Sequence, residues 1–156
     1  MNALLVYYSK FGNTKRVAEA IAETWQSAGS IRVMSAEQLT ASDIDNVDLL
    51  VVGTPTHVAN LPKELRPILE ALPKRVLKGV RVAAFDTSYK MNWFVNLFTA
   101  AKRLNRKLRK LGGKPIVRPK TFFVIERQGP LYEGEIDRAK TWAEEVLDRY
   151  ARSSKH

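Results

Sequence analysis

The amino-acid sequence predicts an α/β fold in which a parallel sheet is covered by helices on both faces. Apolar runs of strand length alternate along the chain with amphipathic helical patterns. The runs are apolar throughout, which is typical of strands buried on both faces, as in a parallel sheet. With 156 residues, 45% of them hydrophobic, the chain can form one domain with a sizeable core, and we expect a single domain over residues 1–156.

The first half of the chain contains three predicted strands and two predicted helices. The strands are Ala3–Tyr8, Ile31–Met34 and Leu49–Gly53. The helices are Thr14–Ala28, which Gly29 ends, and Lys63–Leu72, which lies between Pro62 and Pro73. This order places a helix after the first strand and another after the third, as connections between parallel strands require.

The second half repeats the alternation. Its strands are Val80–Phe85 and Thr121–Ile125. The apolar stripe of a long helix that stops at Gly112 consists of Leu97, Ala101, Leu104, Leu108 and Leu111. The last helix is marked by Ile136, Ala139, Ala143, Val146, Leu147 and Tyr150. Five strands and four helices are therefore expected.

Composition excludes several classes of function. The chain has no cysteine, so disulfides, thiolate catalysis and cysteine-ligated metals are excluded. Its two histidines, His57 and His156, argue against a zinc or non-haem iron site, and we expect no metal. No run has the length of a membrane span, and Ala3–Tyr8 is too short for the apolar part of a signal peptide. We expect a cytoplasmic protein.

Positive charge is concentrated in one interval. The formal net charge is +10, and no acidic residue lies between Asp86 and Glu126. The cations of that interval are Lys90, Lys102, Arg103, Arg106, Lys107, Arg109, Lys110, Lys114, Arg118 and Lys120. They form either a solvated face or a surface for an acidic protein or a nucleic acid. Aromatic residues are not interleaved with them, which argues against a platform for single strands.

Three segments follow predicted strands at the edge of the sheet where ligands bind in such folds: Ser9–Thr14, Thr54–Pro62 and Asp86–Asn92. The first also opens a helix, whose free N–H groups and dipole favour an anion. Gly12 permits close approach of the backbone to a phosphate, whereas the alternative is plain capping of the helix by Asn13 or Thr14. Neither G-x-x-x-x-G-K-[ST] nor G-x-G-x-x-G occurs.

Leu5–Ile21, "LVYYSKFGNTKRVAEAI", resembles the amino-terminal signature of the flavodoxins. That signature consists of an apolar strand, the motif [ST]-x-x-G-x-T and a helix. The resemblance implies a flavodoxin-like three-layer sandwich with a five-stranded parallel sheet in the order 2-1-3-4-5, and FMN as cofactor. It implies that the FMN phosphate is bound by Ser9, Lys10, Phe11, Gly12, Asn13 and Thr14. Lys10 and Phe11 depart from the family, which more often has uncharged hydrogen-bonding residues there.

Two further segments resemble the loops of flavodoxins that flank the flavin ring. In Asn46–Pro62 the resemblance implies contacts from Thr54, Pro55, Thr56 and His57, the last of which is otherwise a solvent-facing loop residue. In the other segment it implies contacts from Asp86, Thr87, Ser88 and Tyr89. Tyr89 is the first choice for the aromatic residue that stacks on the ring. Trp93 is the second choice, unless it starts the following helix as a core residue.

Gly129–Leu147 resembles the last turn and helix of short-chain members of the family, and no insertion of about twenty residues interrupts the fifth strand.

No apparatus for nucleophilic catalysis is present, and Asp86 is either a general base or, more commonly, a carboxylate that caps a turn. The resemblance therefore implies an FMN-binding protein that shuttles one or two electrons between redox partners. The alternatives are an FMN-dependent reductase of quinones or porphyrin precursors, and a flavin-free interaction module that uses the basic helix.

Flavodoxins tend to be acidic, so the positive charge points to an acidic redox partner and makes a nucleic acid the lesser candidate. We expect a monomer or a weak homodimer. Cations close to the flavin should also favour its anionic reduced form, which predicts a less negative potential for two-electron reduction than in an acidic relative.

Overall fold

The computed structural model describes residues 1–56, 60–90 and 99–155. The strands in these ranges are β1 (Asn2–Tyr7), β2 (Ser30–Ser35), β3 (Leu49–Pro55), β4 (Arg81–Tyr89), β5 (Lys114–Pro115) and β6 (Lys120–Val124). The helices are α1 (Asn13–Thr24), α2 (Leu65–Glu70), α3 (Ala100–Lys110) and α4 (Glu135–Ser153). Two short 3-10 turns, Ala36–Gln38 and Ala41–Ile44, join β2 to β3. None of the described helices has the length and apolar character that crossing a membrane requires.

The strands form one parallel sheet in the order β2-β1-β3-β4-β5, with β6 also paired to β4. The predicted order 2-1-3-4-5 is confirmed, but the fifth position is occupied by two short segments. β5 pairs with the start of β4 and β6 with its end. Pro115 and Pro119 lie on either side of the break, and proline has no N–H to continue a ladder of hydrogen bonds.

Helices cover both faces of the sheet, and the two faces have different cores. On one face α1 and α4 enclose the Phe85, Phe122 and Trp142 rings, whose centroids lie 5.9 to 6.2 Å apart in edge-to-face contacts. On the other face α2 and α3 pack aliphatic side chains, including Leu69 and Leu104, against the sheet. The apolar stripes that predicted the helices are therefore their buried sides.

The largest departure from the predicted elements is the length of β4. Its last residues, Asp86–Tyr89, were expected to form a loop, and this expectation is wrong. Asp86 and Thr87 pair with the end of β3, and the segment continues alongside β6 as far as Tyr89. Hydrogen bonding on both sides keeps this polar stretch in the sheet although its residues lack the apolar character of the preceding strand. The helices α1 and α2 are also shorter than predicted, and Leu97, assigned to the third helix, lies outside the described residues.

Candidate functional site

A cleft of about 230 Å³ lies where β1, β3 and β4 end. The carboxyl ends of adjacent parallel strands meet at this edge, which is the usual place for a ligand in an open α/β sheet. The structure brings together most of the residues predicted from the three segments: Ser9, Lys10, Phe11, Asn13, Thr14, Pro55, Thr56, Thr87, Ser88 and Tyr89 all line the cleft. Three elements distant in sequence therefore contribute to one cavity.

The loop between β1 and α1 has the geometry of an anion cradle. Gly12 is the N-cap of α1 and has a φ of 92°, in the left-handed region that glycine enters without strain. The Ser9 Oγ accepts the Gly12 N–H at 3.0 Å and the Lys15 backbone N–H at 3.5 Å. The N-cap is Gly12, so the alternative in which Asn13 or Thr14 serves as the cap is wrong. Among the described residues, the Asn13 and Thr14 N–H groups, which lack intrahelical acceptors, have no capping side chain as acceptor.

Two side-chain contacts fix this loop against its surroundings. The Thr14 and Thr87 hydroxyl oxygens lie 2.9 Å apart, which joins the start of α1 to the end of β4. The Asn13 Nδ2 donates to the Gln128 carbonyl oxygen at 3.1 Å and so connects α1 to the segment after β6. Asn13 therefore uses one of its two amide hydrogens within the protein.

Two aromatic residues of the cleft are partly accessible. Tyr89, the first choice for stacking on the flavin, is 36% exposed at the end of β4, and Phe11, predicted as part of the phosphate loop, is 43% exposed. Both line the cleft, so a planar ligand there has aromatic side chains to contact. His57 and Trp93, the other predicted ring contacts, lie outside the described residues.

Gly12, Thr54 and Asp86 were predicted to contact the cofactor but are not among the residues that line the cleft. Gly12 shapes the loop through its backbone, and the Thr54 hydroxyl, fully buried, donates to the Pro55 carbonyl oxygen. Asp86 is also fully buried. These three residues therefore neighbour the lining residues and support them without facing the cleft.

Asp86 joins the end of β3 to the start of α3. Its Oδ2 accepts hydrogen bonds from the Thr56 hydroxyl and, at 3.1 Å, from the Ala101 N–H. Burial raises the pKa of this carboxyl, and the hydrogen bonds from Thr121, Thr56 and the α3 amides oppose the rise. A carboxylate at a helix N-terminus is favourably placed against the helix dipole. The interpretation of Asp86 as a capping carboxylate thus agrees with its contacts better than that of a general base, although it caps a helix and not a turn.

Six residues of the lining were not among the predicted contacts: Tyr8, Pro62, Lys63, Glu64, Val124 and Arg127. Pro62 lies in a segment that was singled out, whereas Tyr8 was assigned to the first strand, which in the structure ends at Tyr7. Burial, followed by the nearby Glu64 carboxylate, which accepts a hydrogen bond from the phenol, raises the pKa of Tyr8. Arg127 comes from the segment after β6, and only the fold brings it to the cleft.

The described lining is positively charged on balance. Lys10, Lys63 and Arg127 contribute three cations, against the single carboxylate of Glu64. The cradle at the start of α1, the accessible aromatic rings and this positive balance fit a ligand that combines a planar ring system with a phosphate. FMN has both parts, so the residues present fit that cofactor.

Comparison with known proteins agrees with this geometry. Residues 5–149 match the flavodoxin family model. A flavodoxin of Clostridium saccharobutylicum is 27% identical over 155 residues, which covers 96% of this chain and 97% of the relative. An NAD(P)H dehydrogenase (quinone) of Acidovorax ebreus is 28% identical over 110 residues, covering 54% of this chain and 55% of the relative.

Among solved structures, oxidised flavodoxin 2 of Bacillus cereus superposes with a TM-score of 0.77 at 18% identity, covering 98% of this chain and 99% of that one. At that identity the likeness concerns the fold alone. The match of the family model to nearly the whole chain carries the assignment, and it confirms the resemblance read from the loops. The chain belongs to the flavodoxin family, whose members bind FMN and transfer electrons to redox partner proteins.

Proposed function

We propose that this chain is an electron carrier that moves one or two electrons between redox partner proteins, with its FMN in the cleft at the ends of β1, β3 and β4. The observation that carries the proposal is the loop Ser9–Thr14, in which Gly12 adopts a φ of 92° and opens α1 without a side-chain cap. Bound FMN supplies the redox chemistry, since it accepts and donates electrons one or two at a time.

The protein's own contribution is to bind and orient the cofactor. In this proposal the Ser9 hydroxyl and the first amides of α1 hold the phosphate, and Lys10 adds a positive charge beside it. Tyr89 and Phe11 contact the ring system, while Thr14 and Thr87 hold the two sides of the cleft together through their hydroxyls. The positive balance of the lining supports the expectation of a less negative potential for two-electron reduction, which a redox titration measures.

The location of the phosphate is tested by comparing FMN with riboflavin, which has the same ring system and no phosphate. Ser9→Ala should weaken FMN binding by about 10- to 100-fold, because a hydrogen bond to a charged group contributes about 1.5–3 kcal/mol. It should leave riboflavin binding unchanged. Quenching of flavin fluorescence on titration with the protein gives both dissociation constants.

Tyr89→Ala is the matched control on the ring side. It should weaken FMN and riboflavin by the same factor, because both ligands present the same ring to Tyr89. Equal losses of FMN and riboflavin in Ser9→Ala would contradict the placement of the phosphate.

Two other outcomes would replace the electron carrier by an alternative. A purified protein that is colourless and takes up neither flavin would favour the flavin-free interaction module. Sustained turnover of NAD(P)H with a quinone, with no other protein present, would favour a reductase, the second candidate that the partial likeness to a quinone dehydrogenase supports.

A further inference from the structure

A second cleft, of about 280 Å³, lies between α2 and α3 and is not part of the proposed FMN site. Five of its lining residues are cations and one is acidic: Arg66, Arg103, Arg106, Lys107 and Lys110, with Glu70. We call this cleft the cationic groove. The Lys107 Nζ lies 4.0 Å from the Glu70 carboxylate, which is the one acidic group among the described residues of the lining.

The fold does not require these charges. The residues of α3 that pack against the sheet are Ala100, Ala101, Leu104 and Leu108, and the cations lie outside that stripe. Cations crowded on one helix repel one another, which lowers stability slightly. A feature that the core does not need, and that opposes folding weakly, is typical of a binding surface.

The cationic groove adjoins the cleft assigned to FMN. The segment before α2 forms a wall of both cavities, since Pro62, Lys63 and Glu64 line the FMN cleft whereas Asn60 and Leu61 line the groove. The start of α3 is tied to the FMN cleft as well, because the Ala100 N–H donates to the Thr56 hydroxyl oxygen at 3.3 Å.

The length of α3 sets how far the groove extends from the site. With a rise of about 1.5 Å per residue, Lys110 lies about 15 Å along the helix axis from Ala100. The groove therefore begins beside the proposed FMN site and extends away from it along α3. A protein seated on the groove would have its part nearest Ala100 beside the flavin, as electron exchange requires.

The chemistry of the lining indicates an acidic protein as the occupant. Three of its cations are arginines, whose planar guanidinium groups bind carboxylates through two hydrogen bonds. Leu61 and Leu69 add apolar surface between the charges, as in the centre of a protein interface. No aromatic side chain is found among the described residues that line the groove, so bases of a nucleic acid would have nothing to stack on.

We propose that the cationic groove docks an acidic electron-transfer protein that exchanges electrons with the flavin. This inference rests on the proposed function. In the exchange one electron leaves the reduced partner, which is oxidised, and enters the FMN, which is reduced. No covalent bond forms or breaks between the two proteins.

The test compares two double variants of α3 that remove the same charges from the same helix. Arg106→Gln with Lys110→Gln removes two cations that line the groove, and Lys102→Gln with Arg109→Gln removes two that do not. All four side chains are exposed, and each variant lowers the net charge equally. General attraction between oppositely charged proteins is thereby held constant.

The probe is an acidic plant-type [2Fe–2S] ferredoxin that carries a fluorescent label, and its binding is read by anisotropy. At low salt the groove variant should bind about tenfold more weakly than the unchanged protein, and the control variant less than about threefold more weakly. Binding of the unchanged protein should also weaken steeply as the salt concentration rises. Transfer of an electron from reduced ferredoxin to the FMN-loaded protein, followed by stopped-flow absorbance, should rank the three proteins in the same order.

Equal losses in both double variants would overturn the proposal, because they would mean that net charge alone attracts the partner. Tighter binding of a labelled single-stranded oligonucleotide than of ferredoxin, weakened only in the groove variant, would overturn it in favour of a nucleic-acid surface. Failure to bind FMN would contradict the proposed function, yet anisotropy would still report docking. Normal FMN binding without docking would contradict only the present inference.

Discussion

The helices α3 and α4 lie on opposite faces of the sheet and bury apolar stripes in the same way, but their outer surfaces differ. The outer surface of α4 carries acidic and basic residues in equal number: Asp137, Glu144, Glu145 and Asp148 with Arg138, Lys140, Arg149 and Arg152. α3 carries only basic ones: Lys102, Arg103, Arg106, Lys107, Arg109 and Lys110. Since both helices fold onto one sheet, the fold determines their buried sides and leaves their outer charge free to serve binding.

Each of these helices also begins at a buried carboxylate, and the two carboxylates have different hydrogen-bond donors. Glu135 in the first turn of α4 accepts hydrogen bonds from Arg138 Nη1 at 2.6 and 2.7 Å and from the Phe123 N–H at 2.7 Å. Asp86 at the start of α3 has hydroxyl and amide donors, and no ion pair is formed by it among the described residues. The buried carboxylate of the α4 face is thus paired with an arginine, whereas that of the α3 face accepts hydrogen bonds from neutral groups.

The largest expected difference between the two faces concerns their cores. Phe85→Ala should lower the free energy of unfolding by about 4 kcal/mol, because Phe85 is fully buried and contacts the Phe122 and Trp142 rings. Leu104→Ala on the α3 face should lower it by about 3 kcal/mol, since it removes fewer contacts. Urea denaturation followed by circular dichroism measures both values.

Ile125→Ala serves as the control for these core variants. Ile125 is 50% exposed, so its loss should change stability by less than about 0.5 kcal/mol. If Leu104→Ala were more damaging than Phe85→Ala, the aromatic cluster would not be the more important of the two cores.

Much of this framework could be predicted from the sequence, because burial leaves a periodic pattern. The alternation of apolar runs with helical stripes gave the parallel sheet and its covering helices, and the resemblance of the loops gave the strand order. The need for glycine at position 53 could not be predicted. A Cβ there would lie 2.1 Å from Phe85 Cζ, and Phe85 is 32 residues later in the chain, so only the fold brings the two residues together. The residues of the site that sequence reasoning missed, such as Arg127, are likewise placed by tertiary structure.

The polar end of β4 shows why an element boundary could be missed. Asp86 follows an apolar run, and a polar residue in that position is typical of a loop. Its neighbours on both sides supply ladder partners, and the α3 N-terminus supplies a donor for its carboxylate. These partners come from distant parts of the chain, so no local pattern could indicate them.

The buried carboxylate of the α3 face, Asp86, should make the free energy of unfolding depend on pH. The pKa of Asp86 is raised in the folded protein, whereas an unfolded chain has an aspartate pKa of about 3.9. Between these two values the folded state holds a proton that the unfolded state releases. The free energy of unfolding should therefore fall as pH rises from about 4 through the raised pKa, by about 1.4 kcal/mol for each unit of the rise, and then stay constant.

Asp86→Asn should remove this part of the pH dependence. Asparagine keeps a side-chain oxygen that can accept from Thr56 and Ala101, but it does not titrate. Urea denaturation of both proteins at a series of pH values measures the difference. The same slope in both would mean that Asp86 does not titrate differently in the folded and unfolded states.

The smallest expected effect concerns the outer charges of the two helices. Removing a cation should change the free energy of unfolding in opposite directions on α3 and α4. Arg106 lies three or four residues from four other cations, Lys102, Arg103, Arg109 and Lys110. Neighbours at these spacings face each other on a helix, and each like-charged pair is unfavourable by about 0.2–0.5 kcal/mol. Taken at the low end of that range because the side chains are exposed, the four pairs predict that Arg106→Gln raises the free energy of unfolding by about 0.8 kcal/mol at low salt.

On α4 the corresponding change has the opposite sign. Arg152 Nη2 lies 3.1 Å from Asp148 Oδ2, one helical turn earlier, so Arg152→Gln should lower stability by about 0.3 kcal/mol. Both effects should shrink as salt screens the charges, and thermal unfolding at low and high salt measures them. If Arg106→Gln stabilises the protein and also weakens docking of the acidic ferredoxin, then loss of binding cannot be attributed to a damaged fold. The α3 surface would then hold a cation that folding disfavours, whereas the α4 surface holds one that folding favours, and binding would be the remaining reason for the difference.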